Sequence, residues 1–213
     1  MILKHSIVSR LIESKVVAVI RGNDAEEAIQ ISKGAYEGGI NAIELTYTTP
    51  NIKDAFKELG KMDALIGAGT VLDSETARSA ILEGAKFIVS PSFDEAVAVL
   101  CNRYSVPYLP GCMTIGEMVR ALEAGCDVLK LFPANHFSPS FIQSVKGPIP
   151  NAQIMPTGGI NLKNINDWLQ AGAQAVGIGS DLNKAYQLGG YESVVQLSRE
   201  YINKVHQNME VRS

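Results

Sequence analysis

The chain has 213 residues and a formal net charge of −3, with 22 acidic against 19 basic side chains and no basic block. That balance argues against nucleic acid or an anionic membrane surface as a partner, and no apolar run approaches the roughly 18 residues of a membrane span. The length fits one large domain, while three scattered cysteines (Cys101, Cys112, Cys126) and three distant histidines (His5, His136, His206) offer neither a disulfide framework nor a metal-ligand cluster.

Residues 1–10 lack the apolar core of a signal peptide, so a cytoplasmic protein with reduced thiols is the expectation. Ile7, Val8, Leu11 and Ile12 give an amphipathic pattern for a short helix that plugs one end of the fold. Residues 16–21 are a β-branched strand ending in Arg21, and Asp24 with Glu27 forms a capping box for the helix that follows. The unit then repeats. Strands are expected at 42–47, 65–71, 87–91, 107–111, 128–133, 153–159 and 175–180, each followed by a helix. Asp73, Thr114 (with Glu117) and Asn161 are the expected caps, and the last helix is expected from about Tyr191 to Val205.

Strand starts fall 20 to 26 residues apart throughout. Regular βα alternation implies a parallel sheet, and eight units in this length fit a single (β/α)₈ TIM barrel spanning 1–213 with a short N-terminal helix. An open doubly wound sheet would want a glycine-rich loop after the first strand, and Arg21-Gly22-Asn23-Asp24 is not one. A leucine-rich solenoid has a similar period, but the strands lack its leucine pattern.

Barrel chemistry collects at the C-terminal ends of the strands. Strand six reads Val128-Leu129-Lys130-Leu131-Phe132-Pro133, and alternation puts Lys130 opposite Leu129 and Leu131. Glu44 likewise lies opposite Ile43 and Leu45, so both charges point inward. Two readings stand. Lys130 and Glu44 form a buried structural ion pair, a poor stabiliser; or Lys130 is a nucleophile, because burial favours a neutral amine. Arg21 is either a surface charge or a bidentate grip on a carboxylate. Thr157-Gly158-Gly159 and Gly179-Ser180 follow strands seven and eight, where barrels frequently bind phosphate. Asp181 would repel an anion there, so it is expected to face away. Together these groups suggest a Schiff-base enzyme without metal or cofactor, in which Lys130 attacks a ketone and Glu44 shuttles protons.

The set Val19-Ile20-Arg21, Ile43-Glu44-Leu45-Thr46, Gly67-Ala68-Gly69-Thr70, Val89-Ser90-Pro91, Leu109-Pro110-Gly111, Lys130-Leu131-Phe132-Pro133 and Pro156-Thr157-Gly158-Gly159 resembles the 2-keto-3-deoxy-6-phosphogluconate / 4-hydroxy-2-oxoglutarate aldolases. The resemblance spans strands one to eight. It implies a class I aldolase that releases pyruvate and glyceraldehyde 3-phosphate, with Lys130 as Schiff-base residue and Glu44 as general acid and base. It further implies that Arg21 and Thr70 handle the pyruvate carboxylate, that Pro91 and Phe132 line the pocket, that Gly158, Gly159 and Ser180 meet the phosphate, and that the protein is a homotrimer. One departure stands out: some members carry an arginine shortly after the glutamate, where this chain reads Tyr47-Thr48-Thr49-Pro50. That leaves 4-hydroxy-2-oxoglutarate and the epimeric 2-keto-3-deoxy-6-phosphogalactonate as further substrates. The rival readings are a phosphate barrel using Lys130 only electrostatically, and a non-catalytic sugar-phosphate sensor. His136 has no assigned role.

Overall fold

A computed structural model describes residues 3–210. Helix α1 (Leu3–Ser14) precedes strand β1 (Val16–Ile20), and strands and helices then alternate. The remaining strands are β2 (Ala42–Thr46), β3 (Leu65–Gly69), β4 (Ile88–Val89), β5 (Tyr108–Leu109), β6 (Gly111–Cys112), β7 (Leu129–Leu131), β8 (Ile154–Pro156) and β9 (Val176–Ile178). The connecting helices are α2 (Ala25–Glu37), α3 (Ile52–Leu59), α4 (Ser74–Leu82), α5 (Glu95–Arg103), α6 (Ile115–Glu123), α7 (Ser140–Lys146) and α8 (Ile165–Gln170), with α9 (Ser180–Glu210) last. Among the described residues, no helix is long and apolar enough to cross a membrane.

Every ladder is parallel, as βα alternation demands. The strands form a curled sheet in two ladders, β5-β4-β3-β2-β1-β9 and β6-β7-β8. The one continuous eight-strand barrel expected from the sequence is not seen among the described residues, whose strands pair in these two separate ladders. Pro110 splits the expected fifth strand into β5 and β6, because proline has no N–H to donate to a ladder. Its carbonyl still accepts from Lys130 N at 2.9 Å. Between β8 and β9 the pairing thins to a single bridge, Thr157 to Gly177.

Side-chain alternation sorts the sheet into two cores. Val16, Ala18, Ile20, Ile43, Ile66, Ile88, Leu129, Ile154 and Val176 face outward and pack under the helices. Val17, Ala42, Leu65, Phe87, Leu109, Val128, Met155 and Ala175 face inward and pack on Ile7, Val8 and Leu11 of α1. The N-terminal helix thus closes the end of the sheet where the strands begin, as expected. Its three buried aliphatic side chains contribute about 1.5–3 kcal/mol each. That leaves the opposite rim, where the strands end, as the open one.

The helix starts follow local chemistry. Asp24, Asp73, Asp94 and Thr114 each accept a hydrogen bond from the backbone N–H three residues on, and Thr114 with Glu117 completes a capping box. Asn161 is not the cap of α8. Its side chain accepts from Lys163 N in a local turn, and Asn164 occupies the cap position instead. Residues 180–188, following β9, form a helix the sequence pattern did not suggest; helical geometry breaks at Gly189 and Gly190, where Gly190 takes φ 66°, and the last helix then runs on from Tyr191, as expected.

Candidate active site

Glu44 sits mid-way along β2, fully buried, with Val19 of β1 and Gly67 of β3 as its register partners. Lys130 sits in the middle of β7, between Gly111 and Met155. Both side chains turn to the inner face, and Lys130 Nζ lies 3.5 Å from Glu44 Oε1. Their side chains are 6% and 1% exposed. Neither Glu44 oxygen has a hydrogen-bond partner among the described residues, and the ion pair with Lys130 is the one salt bridge this buried carboxylate makes among them. The Phe132 ring centroid stands 5.0 Å from Nζ and covers the amine.

Room for the pair comes from glycine. A Cβ on Gly69 would overlap Glu44 Oε1 and sit 2.5 Å from its Cγ, so any larger residue there displaces the carboxylate. On β9, Gly177 does the same for Thr157, whose hydroxyl lies where a Cβ would be.

The rim is built from short polar loops. Thr70, next after β3, adopts φ 59°, a left-handed turn that ends the strand and leaves its side chain partly exposed. Pro91 is partly exposed, and its carbonyl lies so close to Gly111 that only glycine fits there. Gly22 N donates to the buried Thr49 hydroxyl at 3.1 Å, tying the loop after Arg21 to the loop after Glu44. Tyr47 turns outward onto Phe56, and the Thr48 hydroxyl donates to Thr46 at 3.2 Å.

A cavity of about 460 Å³ opens at this rim. It gathers Arg21, Thr157, Gly158, Gly159, Gly179 and Ser180, the sequence-predicted residues of strands one, seven and eight. Lys130, Glu44, Thr70, Pro91 and Phe132 do not line it. The charged pair lies one layer deeper: Met155 is Lys130's register partner, and Thr157 is the next inward position beyond Met155 on β8. Thr157 is 6% exposed, and its hydroxyl has no partner among the described residues although it borders the cavity. Gly158 and Gly159 take φ 100° and 76°, which bends the chain around the cavity mouth.

The far wall is α9. Ser180, Asn183, Lys184 and Gln187 line it, spaced i, i+3, i+4 and i+7, which is one face of a helix. Asn183, Lys184 and Gln187 were not among the expected site residues, because no helix was expected over 181–190. Their helical spacing after Gly177-Ile178-Gly179-Ser180 was the available signal. Asp181 is turned away, as expected: the buried Tyr201 hydroxyl donates to its Oδ2 at 2.8 Å. Burial, and then that bond to Asp181, pushes the Tyr201 phenol well above its usual range.

An inward lysine and glutamate, small inner side chains and a rim pocket thus meet on one sheet, and the chain as a whole resembles known proteins. Residues 7–197 match the KDPG and KHG aldolase family. The chain belongs to that family. A 2-dehydro-3-deoxy-6-phosphogalactonate aldolase of Escherichia coli (strain K12) is 33% identical over 81% of this chain and 86% of its own length. A 2-dehydro-3-deoxy-phosphogluconate aldolase of Treponema pallidum (strain Nichols) is 35% identical over 73% of this chain and 75% of its own. The crystal structure of a KDPG aldolase from Legionella pneumophila, with pyruvate captured at low pH as a covalent carbinolamine intermediate, superposes with a TM-score of 0.79 at 26% identity. It covers 92% of this chain and 96% of that one. In this KDPG and KHG aldolase family member, His136 lies exposed in a 3₁₀ turn (Ala134–His136) after β7, away from the cavity lining.

Proposed function

We propose that this protein is a class I aldolase that cleaves 2-keto-3-deoxy-6-phosphogluconate into pyruvate and glyceraldehyde 3-phosphate. The observation that carries the reading is the buried Lys130–Glu44 pair, 3.5 Å apart, with no hydrogen-bond partner for the carboxylate among the described residues. Lys130 Nζ in its neutral form adds to the C2 ketone, giving a carbinolamine. Glu44 delivers the proton that lets hydroxide leave as water, and the iminium forms. The ionised Glu44 then takes the C4 hydroxyl proton; the C3–C4 bonding pair moves into the iminium, producing an enamine and releasing the aldehyde. Reprotonation at C3 and attack of water return pyruvate and free Lys130. Arg21 and Thr70 would hold the carboxylate; Pro91 and Phe132 would wall the C2–C3 unit. Thr157, Gly158, Gly159, Gly179 and Ser180 would take the phosphorylated tail.

The family match and the aldolase relatives support this substrate class. The phosphogalactonate aldolase relative supports the C4 epimer as a second substrate, and 4-hydroxy-2-oxoglutarate is a third. The same reading takes the two ladders as one closed eight-stranded barrel over 1–213, supported by the Thr157–Gly177 bridge and chain continuity across Pro110. It takes the protein as cytoplasmic, serving the Entner–Doudoroff route, and as a homotrimer. Exposed Leu72, Val99, Met113, Ile115 and Val119, on or beside α4, α5 and α6, supply an apolar surface for association.

The test is borohydride reduction in the presence of pyruvate, followed by peptide mass spectrometry. A reduced pyruvyl adduct is expected on Lys130 in the wild type and absent in Lys130→Met. An adduct on another lysine, or none from folded protein, would refute the mechanism.

A further inference from the structure

A phosphorylated tail brings about two negative charges to the cavity, and the loop after Glu44 offers no cation to meet them: residues 47–50 are Tyr47, Thr48, Thr49 and Pro50. Nor is that loop free to turn inward. The Tyr47 ring packs 6.1 Å from Phe56, and the Thr48 and Thr49 hydroxyls are engaged with Thr46 and with Gly22 N. Two cations line the cavity, Arg21 and Lys184. Arg21 follows β1, its carbonyl is gripped by the Asn183 side-chain amide, and it is assigned to the carboxylate end. Lys184 stands on the other wall, four residues into α9 and hence about one turn beyond Ser180 on the same face. Among the described residues it forms no salt bridge, unlike Lys33, Lys53 and Lys61 on the other surface helices and loops. The carboxylate nearest in sequence, Asp181, is held off by Tyr201. The pocket also carries an unanswered polar group: Thr157 Oγ1 is buried, unpartnered and borders it.

From this arrangement we propose that Lys184, on the first turns of α9, is the phosphate-recognition cation of this protein. It works with the α9 N-terminus, the two left-handed glycines and the Thr157 hydroxyl. The inference rests on the aldolase reading and extends it by naming a specificity residue. Lys184 selects the phosphorylated tail and takes no part in bond cleavage.

The experiment compares kcat/KM for 2-keto-3-deoxy-6-phosphogluconate with that for its dephosphorylated counterpart, in the wild type, Lys184→Gln, Lys184→Glu and Lys184→Arg. Lys184 is exposed, so these substitutions leave the core untouched. The ratio of the two values is expected to fall about tenfold in Lys184→Gln, the scale of one charge-assisted contact at a solvated rim, mainly through KM. It should fall further in Lys184→Glu and hold in Lys184→Arg. Inorganic phosphate, used as a competitive inhibitor, should lose affinity in parallel. An unchanged ratio and an unchanged phosphate inhibition constant would overturn the assignment while leaving the aldolase intact. If the wild type forms no pyruvyl adduct on Lys130 and cleaves neither substrate, the aldolase reading falls and this inference falls with it.

Discussion

If the Lys130–Glu44 pair is maintained for chemistry, removing it whole should not cost stability. At 3.5 Å and an effective dielectric near 20, the attraction is about 5 kcal/mol. Against it stands the desolvation of two nearly fully buried ions, several kcal/mol each. No further hydrogen bond to either Glu44 oxygen among the described residues offsets that cost. The pair therefore breaks even at best. Breaking it from one side is another matter, since Lys130→Met leaves a buried carboxylate alone and Glu44→Leu leaves a buried amine alone. Each single variant is expected to lose about 3–5 kcal/mol, or roughly 6–20 °C in Tm for a chain of this size. The double variant Lys130→Met/Glu44→Leu, apolar and of similar volume, should match or exceed the wild type by up to about 4 kcal/mol while forming no pyruvyl adduct. Urea unfolding followed by circular dichroism reads all four proteins. A double variant less stable than the wild type by about 3 kcal/mol or more would instead make the pair a structural element and refute its retention for chemistry.

Other substitutions probe the surroundings. Gly69→Ala places a methyl group on the Glu44 carboxylate; it should cost about 1–3 kcal/mol of stability and at least tenfold in aldol cleavage, whereas an active, stable variant would contradict the packing described. Burial pushes the thiols of Cys101, Cys112 and Cys126 up to about 12, so at pH 8 none should react with a thiol reagent in the native state and all three should react in denaturant; rapid native labelling would contradict their placement. Glu117 is held below the usual carboxylate range by hydrogen bonds from the N–H groups of Met113 and Thr114. Its folded pKa lies below its unfolded one, so its contribution is complete above the unfolded value and lost as pH falls through the folded one. The stability gap between wild type and Glu117→Ala, about 1 kcal/mol at pH 7, should therefore shrink below pH 4.5, and a gap that widens in acid would reverse the argument.

Much of this was legible in the sequence. Period-two alternation is a strong signal where one face is buried under helices, so Glu44 and Lys130 could be turned inward from their Ile43, Leu45, Leu129 and Leu131 neighbours alone. The Asp24 and Asp73 caps and the Thr114 box were equally local, each written within four residues. What could not be read depended on competition between alternatives. Asn161 and Asn164 are both good caps, and a turn bond to Lys163 N decides between them. Pro110 sits inside an apolar strand pattern, and only the ladder shows where pairing stops. The first half of α9 has no apolar stripe of its own length. Its start is set by packing of Leu182 and by the Tyr201–Asp181 bond across twenty residues, so the cavity face carrying Lys184 stayed hidden.

The inner glycines have a consequence for how such a protein can change over time. Across the helix layer one aliphatic side chain can replace another with modest loss. Gly69 and Gly177 have no such latitude, because the space each leaves vacant is already filled by a working side chain from the next strand. Drift at these positions is closed in both directions: a methyl group ejects the neighbour, and no smaller residue exists. Enlarging the cavity for a bulkier aldehyde is therefore open at the α9 wall, through Gln187, and shut at the floor.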